Sequence, residues 1–325
     1  MTNQIYYSND YNIFLKHIKP VLKKEFGSCK KIAIKLHFGE PGNKTALTPE
    51  QVKPITDILD ELDIGFFFYD SSVAYPGERH NPETHKRYAT EKGWVELGEV
   101  VTGDSFIEKR GKHLKYEVCK ELADAEGVLV LTHVKGHVCS GFGGAIKNLG
   151  MGALTPKSKQ DIHDGAKPEI VAKCIQCGEC VRACPINGIK LEDEPKFVTC
   201  FGCSNCVIAC PSHVLKVKLE TFDELLADGA TAAASTFKKA YYISLMNNIT
   251  AFCDCMKDGG KIIAKDAGYL GGPDAVGIDQ AAYDIITKHE GEVFLKHNKK
   301  KGTEQIRSAQ KLGLGKKEYS LIECS

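Results

Sequence analysis

The 325-residue chain is long enough for one large domain or two smaller ones, and its 42% hydrophobic content is ordinary for a globular protein. Its 43 basic and 42 acidic residues leave a formal net charge of +1, so charge gives no case for a nucleic-acid or anionic-membrane partner. Without a secretory signal or an apolar stretch near the ~20 residues of a membrane span, we expect a cytoplasmic protein with reduced cysteines.

The first part of the chain alternates predicted strands and helices. Residues 32–38 (IAIKLHF) form a β-rich run, and residues 64–69 (IGFFFY) form the continuous apolar run of a buried strand. Between them, Thr48 and Gln51 make a capping box with Pro49 at the first helical position. The helix then continues in an apolar stripe, in which Pro54 predicts a kink. The stripe consists of Val52, Ile55, Leu59 and Leu62.

A further buried strand is predicted at residues 127–131 (GVLVL), and a glycine-rich stretch with a short helix follows it at residues 136–152. Glycine amides and a helix N-terminus can hold an anion, and a lysine on that helix can neutralise a phosphate or carboxylate. The stretch is neither a dinucleotide fingerprint nor a P-loop, and a glycine turn that only lets the helix pack closely is the alternative. The residues concerned are Gly141, Gly143, Gly144, Lys147 and Asn148.

Two cysteine runs follow, CIQCGECVRACP from Cys174 and CFGCSNCVIACP from Cys200. Both have the Cys-x2-Cys-x2-Cys-x3-Cys-Pro spacing of bacterial two-cluster ferredoxins, in which the fourth cysteine of each run ligates the other cluster. Structural zinc is the alternative, but zinc sites use four ligands, usually in two pairs separated by a longer loop. The sequence therefore predicts two [4Fe–4S] clusters. Cluster one is assigned Cys174, Cys177, Cys180 and Cys210, and cluster two is assigned Cys200, Cys203, Cys206 and Cys184.

The strand–helix pattern resumes after the cysteines. Strands are predicted within residues 241–249 and at 261–264, and an amphipathic helix around residues 278–286. The polar residues 156–169 are predicted to be the linker into the cysteine segment. Residues 219–224 lead out of it, with Thr221 and Glu224 as a second capping box. The basic run at 299–302 is expected to be solvated surface.

This pattern predicts an α/β protein with a mostly parallel sheet and helices on both faces. Residues 1–157 and 219–325 would form one α/β domain. Residues 158–218 would be an inserted small α+β ferredoxin-like module that interrupts it.

Polar and metal-competent side chains follow several predicted strands. In open α/β sheets, ligands bind outside the carboxyl ends of the strands, so these side chains are expected to share one site. Each also has an ordinary structural role open to it, as a hydrogen-bonded histidine, a buried inert thiol or a loop-tying aspartate. The candidates for ligand binding or catalysis are His37, His133, His137, Lys147, Asn148, Cys253, Cys255 and Asp266.

Three segments carry a resemblance to a known family: THVKGHVCSGFGGAIKNLGMG (132–152), FCDC (252–255) and DAVGIDQAAYDII (274–286). They resemble the uncharacterised Fe–S center proteins, a widespread domain of unknown function in anaerobic bacteria and archaea. Some members of that family carry an inserted two-cluster ferredoxin, as this chain does in its cysteine runs. The resemblance spans nearly the whole chain and implies redox metabolism without an established reaction.

The sequence thus indicates an iron–sulfur protein that passes electrons between two [4Fe–4S] clusters and a small-molecule or metal site at the strand carboxyl ends. Cys253 and Cys255 could bind a metal or act as a thiol pair there. The alternative is a non-catalytic electron carrier or redox-responsive module that docks a partner enzyme or reductively activates its cofactor. We expect a redox partner protein and an anionic small-molecule ligand, and neither nucleic acid nor membrane. A flavin or an additional metal is left open.

Overall fold

The computed structural model describes residues 3–325. The part before the cysteine runs comprises strands β1 (Asn3–Ser8), β2 (Lys31–Lys35), β3 (Gly65–Tyr69), β4 (Glu99–Val101), β5 (Phe106–Arg110), β6 (Lys115–Cys119), β7 (Val128–His133), β8 (Lys135–His137) and β9 (Gly141–Gly143). Its helices are α1 (Tyr11–Phe26), α2 (Pro49–Glu61), α3 (Pro82–Glu91), α4 (Trp94–Leu97), α5 (Lys120–Asp124), α6 (Ala145–Gly152) and α7 (Pro156–Gly165).

The cysteine segment contains only short elements, which are β10 (Pro168–Ile170), α8 (Glu179–Ala183), β11 (Ile189–Leu191), β12 (Pro195–Phe197), α9 (Asn205–Ile208) and β13 (Leu215–Val217). Longer elements resume after it. They are α10 (Phe222–Ala234), β14 (Ala240–Leu245), β15 (Tyr269–Gly272), α11 (Ala275–Glu290), α12 (Val293–Asn298), α13 (Thr303–Lys311) and β16 (Tyr319–Glu323).

One eight-stranded sheet organises the chain, in the order β16-β1-β15-β14-β7-β2-β3-β4. The run from β14 to β4 is parallel throughout, and only β15 is antiparallel to its two neighbours. The sheet combines strands that precede the cysteine runs with strands that follow them. The predicted α/β fold with a mostly parallel sheet is confirmed.

Helices cover both faces of this sheet because its central strands are apolar on both sides. In β7, Leu129 and Leu131 pack against α1 and α2, whereas Val128 and Val130 pack against α6, α10 and α11 on the opposite face. Successive strand residues point to opposite faces, so an unbroken apolar run suits a strand buried on both sides. All six residues of β7 are buried, as the continuous run predicted.

The predicted start of α2 is confirmed in detail. Thr48 and Gln51 form the reciprocal capping box, and Pro49 occupies the first turn. The helix continues through Pro54 to Glu61. The helix predicted around residues 278–286 is α11, which begins after Asp274, whose carboxylate accepts the backbone N–H groups of Val276 and Gly277.

Three local predictions are wrong. Residues 261–264 are not a strand: they lie in a loop whose β-pairing is limited to one isolated bridge between Ile262 and Thr250. The predicted linker at 156–169 is mostly the helix α7, which packs against α10. Thr221 begins α10 without a side-chain cap, because the Glu224 carboxylate instead faces Lys112 and His113.

The cysteine segment leaves and rejoins the α/β part at one place. The backbone N–H of Leu219 donates to the Gly165 carbonyl at 2.7 Å, and that of Lys218 donates to the Lys167 carbonyl at 2.9 Å. Between these points, β10 pairs with β13, and β11 pairs with β12. A small separate core lies inside, and its buried members include Cys180, Cys184, Cys206 and Cys210.

The basic run at 299–302 is only partly solvated surface: Lys299 and Lys301 are exposed as predicted, whereas Lys300 is buried and corrects the prediction. Lys299 Nζ donates to the carbonyls of Arg182 and Cys184 at 2.9 and 3.0 Å. Lys300 is buried, and its Nζ donates to the carbonyls of Cys139 and Cys203 at 2.9 and 2.8 Å. The run therefore fastens the cysteine segment to the α/β part.

Within residues 3–325, no helix is both long enough and apolar enough to cross a lipid bilayer.

Candidate metal and ligand site

The two cysteine runs fold as a structural repeat. Left-handed backbone recurs at equivalent positions, with Gln176 matched by Gly202, Gly178 by Ser204 and Asn187 by His213. Each pair is separated by the same offset as Cys174 and Cys200. Non-glycine residues rarely adopt positive φ, so three matched pairs mean that both runs wind around equivalent loops.

Backbone N–H groups point at cysteine sulfurs in both runs. Gln176 N lies 3.3 Å from Cys174 Sγ, and Gly202 N lies 3.4 Å from Cys200 Sγ, at equivalent positions. Gly188 N lies 3.2 Å from Cys184 Sγ. Hydrogen bonds to sulfur stabilise thiolates and tune iron–sulfur clusters. The loops are therefore built to hold sulfur ligands around a common centre.

The fourth cysteine of the first run lies with the second run. A small, mainly apolar cavity is lined by Cys184 together with Cys200, Cys203 and Cys206. These four cysteines are the set that the ferredoxin spacing assigned to cluster two. Burial raises the pKa of the Cys206 thiol to about 12, with Cys203 and Cys200 adding to the effect. Without a metal the Cys206 thiol would stay protonated, and ligation would remove its proton. The residues around this cavity fit a cuboidal iron–sulfur cluster.

A second, larger cavity of about 500 Å³ lies at the carboxyl ends of β2, β3, β7 and β14. It contains seven of the eight sequence-predicted candidates, namely His37, His133, His137, Lys147, Asn148, Cys253 and Cys255. Strands distant in sequence meet here because parallel strands end at the same edge of the sheet. Asp266 is absent from the lining. It is tied to the loop after β14, where its carboxylate accepts the backbone N–H of Asn248 at 2.8 Å.

The predicted anion-binding loop also differs from expectation. The first N–H groups of α6, on Ala145 and Ile146, donate to the carboxylate of Asp279 at 2.6 and 2.9 Å. This side chain from α11 therefore occupies the helix N-terminus that a ligand was expected to use. A Cβ on Gly144 would lie 2.2 Å from Asp279 Oδ1, and Gly141 has φ +74° with its Cα against the Lys300 carbonyl. The glycines of this stretch permit close packing, which is the alternative the sequence left open.

Among the ionisable side chains that line the larger cavity, the basic ones dominate. Besides the predicted residues, the lining includes Arg79, Lys135, Lys159, His163 and Asp70. Asp70 is the partner of several of these cations, with its carboxylate 3.0 Å from Lys35 Nζ and 3.5 Å from an Arg79 nitrogen. Burial opposes the charge of Asp70, but Lys35 and the neighbouring cations outweigh it and lower its pKa.

Among the described residues, Lys147 has neither a counter-ion nor a hydrogen-bond acceptor, whereas Lys159 in the same cavity, also without an ion pair, donates to oxygens of Ser71 and Ser72. Lys147 is buried on α6 and faces the cavity, and no acceptor or carboxylate among residues 3–325 lies within bonding distance of its Nζ. Burial and the nearby Lys135 lower its pKa to about 7. An ammonium group in such a place is stabilised when an anion enters, because the anion supplies the missing charge and acceptors.

Arg79 and His37 form the opposite wall. The Arg79 guanidinium donates to Glu40 at 3.0 Å and lies 2.9 Å from His37 Nε2. His37 Nδ1 lies 2.9 Å from the backbone nitrogen of Gly39. Burial and the Arg79 charge lower the pKa of His37 well below its ordinary value. His37 is therefore a neutral ring with a single acceptor nitrogen, which can serve either the Gly39 N–H or the Arg79 guanidinium but not both.

His133 serves as a structural tie. Its Nδ1 lies 2.9 Å from Asp254 Oδ1, and its Nε2 lies 2.8 Å from the Asn247 carbonyl. Asp254 also binds Lys135 Nζ at 2.8 Å. Burial opposes the charge of Asp254, but His133 and Lys135 outweigh it and hold its pKa well below the ordinary value. This buried triad anchors the loop that carries Cys253 and Cys255.

Cys253 and Cys255 approach His137 across the cavity. The two cysteines are joined by a disulfide, which corrects the expectation that the cysteines are all reduced. Their sulfurs and a ring nitrogen of His137 all lie within 4.8 Å of one another. Asn148 has a supporting role, because its amide donates to the Leu131 carbonyl while its oxygen accepts from Lys35 Nζ at 3.1 Å.

The two cavities adjoin. Cys200, Phe201 and Val138 line both the cysteine-lined cavity and the larger one. His163 of α7 also borders the larger cavity, and its Nδ1 lies 2.7 Å from the Phe201 carbonyl. A cluster held by the second run would therefore lie one residue layer from the basic pocket.

Sequence reasoning missed four of the residues that shape this pocket. Arg79 and His163 lie in segments with no pattern that marks them. Lys159 belongs to the stretch that was interpreted as a linker. Lys35 could have been identified from the sequence, because it is a lysine inside an otherwise apolar strand. An inward-facing charge in such a strand indicates a buried partner.

Comparison with known proteins gives a family but no function. A family model described as a domain of unknown function (DUF362) matches residues 32–284. A crystal structure of a Thermotoga maritima protein aligns with 94% of the chain at 10% identity and a TM-score of 0.45. The lactate racemase apoprotein from Thermoanaerobacterium thermosaccharolyticum aligns with 75% of the chain at 14% identity and a TM-score of 0.35. The matches cover 60% and 50% of those two proteins, less than two thirds of either. No curated protein matches the sequence significantly.

Proposed function

The chain belongs to the DUF362 family, and from that premise and the geometry of its two cavities we propose that it is an iron–sulfur redox protein with a pocket for a small anion. Cys174, Cys177, Cys180 and Cys210 would hold one [4Fe–4S] cluster, and Cys200, Cys203, Cys206 and Cys184 the other. When bound, the clusters supply one-electron transfer.

The observation that carries the proposal is the wall shared by the two cavities. Cys200 and Phe201 border the cysteine-lined cavity on one side and the basic pocket on the other. A ligand in that pocket would therefore be adjacent to a cluster ligand. Redox chemistry needs such proximity, whereas a cluster with a purely structural role does not.

The pocket's own residues define the class of ligand. Lys147 offers an unpaired ammonium group, and Arg79 presents a second cation, oriented by Glu40. Charge-assisted bonds to such groups favour carboxylate, phosphate or sulfate oxygens. We propose that the pocket takes a small carboxylate or oxoanion, with Lys147 as its main counter-ion.

A second candidate function is electron carriage for a partner protein. It is favoured by the surface of the first run, where Cys177 is exposed and Ile175 has 61% of its side chain in solvent. An exposed apolar residue beside a cluster ligand suits docking of a redox partner. In the carrier function, this exposed surface of the first run would bind a partner enzyme or pass electrons to its cofactor. Binding of anions to the protein would then leave the spectra and potentials of the clusters unchanged.

The test begins with composition. Anaerobically prepared protein should contain about eight irons and eight acid-labile sulfides per chain. Zinc without sulfide would refute the cluster assignment.

Anion binding is tested separately by isothermal titration with sulfate and with oxalate. Lys147→Met should weaken binding of either anion about tenfold to a hundredfold, because one charge-assisted bond contributes about 1.5–3 kcal/mol. The variant should fold at least as well as the wild type, since it removes a buried charge without breaking an ion pair. Lys288→Met, on the exposed surface of α11, is the matched control and should bind both anions normally. Equal binding by both variants would favour the carrier function.

A further inference from the structure

The loop after β14 brings Cys253 and Cys255 to the wall of the larger cavity, where His137 of β8 also lies. Cys253, Cys255 and His137 each offer a ligand atom, and the three atoms lie within 4.8 Å of one another. Cys253 and His137 are buried, and all three residues line the cavity. From this arrangement we propose a metal site of the Cys2His type, for a divalent ion of the zinc class, which forms when the Cys253–Cys255 disulfide is reduced.

The scaffold of this site does not depend on the disulfide. Asp254, between the two cysteines, is held by His133 at 2.9 Å and by Lys135 at 2.8 Å. The Met256 backbone N–H donates to the Cys253 carbonyl at 3.0 Å, which closes the turn. These bonds keep both cysteines at the cavity wall in either redox state. Reduction therefore frees the sulfurs without releasing the loop.

The histidine is oriented for a metal through Ser140. The Ser140 hydroxyl donates to the Phe142 carbonyl at 2.7 Å, so its oxygen is free to accept from His137 Nδ1 at 2.9 Å. In the other tautomer Nδ1 accepts the Ser140 backbone N–H, which lies 3.2 Å away. A metal would select the tautomer with the proton on Nδ1, because that leaves the lone pair on Nε2, for which no hydrogen-bond partner exists among the described residues. Metal-binding histidines have this arrangement, in which a neighbour takes the other ring proton and fixes the tautomer.

Two thiolates and one imidazole favour zinc-class ions over hard cations such as magnesium. Zinc–sulfur and zinc–nitrogen bonds of ~2.3 and ~2.0 Å in a tetrahedron put the ligand atoms about 3.5–3.8 Å apart. Reduction must therefore let the two bonded sulfurs move apart to this spacing, while the ring nitrogen, which lies within 4.8 Å of both, closes by at most roughly 1 Å. Three protein ligands leave a fourth position, which is the arrangement of catalytic zinc sites. That position faces the pocket that contains Lys147.

Formation of the site is a balanced two-electron step. A dithiol reductant gives two electrons and two protons to the disulfide, which becomes two thiols while the reductant becomes a disulfide. Binding of the divalent ion then releases the two thiol protons to solvent. A disulfide oxidant reverses the sequence: it takes up two electrons and two protons to become a dithiol, the Cys253–Cys255 disulfide forms again, and the ion leaves. The proposal of a metal site depends only on its three protein ligands. A contact between the metal and a bound anion would depend in addition on the proposed function.

The experiment uses full-length, cluster-loaded protein under anaerobic conditions. Samples with the disulfide intact and samples reduced with a phosphine are incubated with Zn²⁺, desalted and analysed for zinc, iron and sulfide. Reduced wild type should retain about one more zinc per chain than the oxidised form. Cys255→Ser and His137→Gln should lose that zinc and keep their iron. Cys29→Ser, a buried cysteine on the other face of the sheet, is the matched control and should retain it.

Differential alkylation distinguishes this site from the cysteine runs. In reduced protein, Zn²⁺ should protect the peptide that carries Cys253 and Cys255, as read by mass spectrometry. Equal zinc content in wild type and Cys255→Ser, or no protection of that peptide, would overturn the proposal. Protection without iron or sulfide in the protein would sustain this site and refute the proposed clusters, so the two failures are distinguishable.

Discussion

The two cysteine runs have the same spacing and the same backbone turns, yet they lie in different surroundings. Gly178 of the first run follows the exposed residues 175–177 and is the N-cap of α8, and a Cβ there would meet only the Arg182 side chain. The equivalent residue of the second run, Ser204, is buried, and its hydroxyl bonds the Ala166 carbonyl and the Phe222 N–H. Gly202 is pressed against the His163 carbonyl of α7. One local motif thus yields a solvent-facing half and a half packed against the α/β part.

The different surroundings of the two runs suggest that their clusters would have different roles. The second run borders the basic pocket through Cys200, whereas the first run exposes Cys177. A cluster in the second run would therefore respond to a ligand, and a cluster in the first would respond to a partner protein. Local sequence alone cannot assign these roles, because both runs carry the same ligands at the same spacing.

The largest expected effect tests which cysteines work together. Cys184→Ser should remove the cluster of the second run, so that iron falls from about eight to about four per chain. Its remaining electron paramagnetic resonance spectrum should match that of Cys206→Ser. Cys210→Ser should match Cys180→Ser instead. If the spectrum of Cys184→Ser matched that of Cys180→Ser, each run would supply all four ligands of its own cluster. The assignment of Cys184 to the second cluster would then be wrong.

The next effect concerns the clamp on the second run. Lys300 pairs with the buried carboxylate of Asp223 and also donates to the carbonyls of Cys139 and Cys203. Lys300→Met should lower the free energy of unfolding by about 3–5 kcal/mol, because it leaves a buried carboxylate unpaired. The exposed neighbour provides the control, and Lys301→Met should change stability by less than about 0.5 kcal/mol. Similar melting temperatures for both variants would show that the clamp contributes nothing.

The smallest effect is a pH dependence of anion binding beside the second run. Burial and Lys135 lower the pKa of Lys147 to about 7, so the free side chain is charged below that pH and neutral above it. Sulfate keeps a constant charge over this range, and it binds the charged form. Its affinity should therefore fall as pH rises above about 7, by up to about tenfold per pH unit, with proton uptake on binding.

Calorimetry in buffers of different ionisation enthalpy measures that uptake. Lys147→Met should abolish most of the dependence. A weaker component near pH 8 should remain, because burial lowers the pKa of Lys159, in the same cavity, to about 8. Other charges that face Lys147 come from Lys135, Arg79, Asp254 and Asp70. An affinity for sulfate that stays constant from pH 6 to 9 would contradict the assignment of Lys147 as counter-ion.

The sequence predicted the regular elements best where the information was local. The capping box of Thr48 and Gln51 and the buried run of β7 depend on neighbouring residues, and both appear as expected. The second capping box was wrong because Glu224 meets Lys112 and His113, which lie far away in sequence. Residues 261–264 have strand-like composition, but their neighbourhood offers no strand to pair with.

The candidate site shows the same limit. The rule that ligands bind at strand carboxyl ends identified His37, His133, His137, Cys253 and Cys255, and the structure brings all five to one cavity. It could not identify their contacts. His133 became a partner of Asp254, and the helix N-terminus of α6 was taken by Asp279. Pairing between side chains from distant segments depends on distances that only the folded chain defines.

The sequence by itself determined the alternation of strands and helices and the doubled cysteine loops, because both follow from spacing along the chain. Tertiary structure decided which loop faces solvent, which strand-end residues share one cavity, and which buried lysine has neither a counter-ion nor an acceptor. The physical reason is that burial and charge pairing are sums over neighbours in space. Lys147 and Lys288 are both helical lysines, but only the fold leaves Lys147 buried and unpaired beside Arg79 and His137.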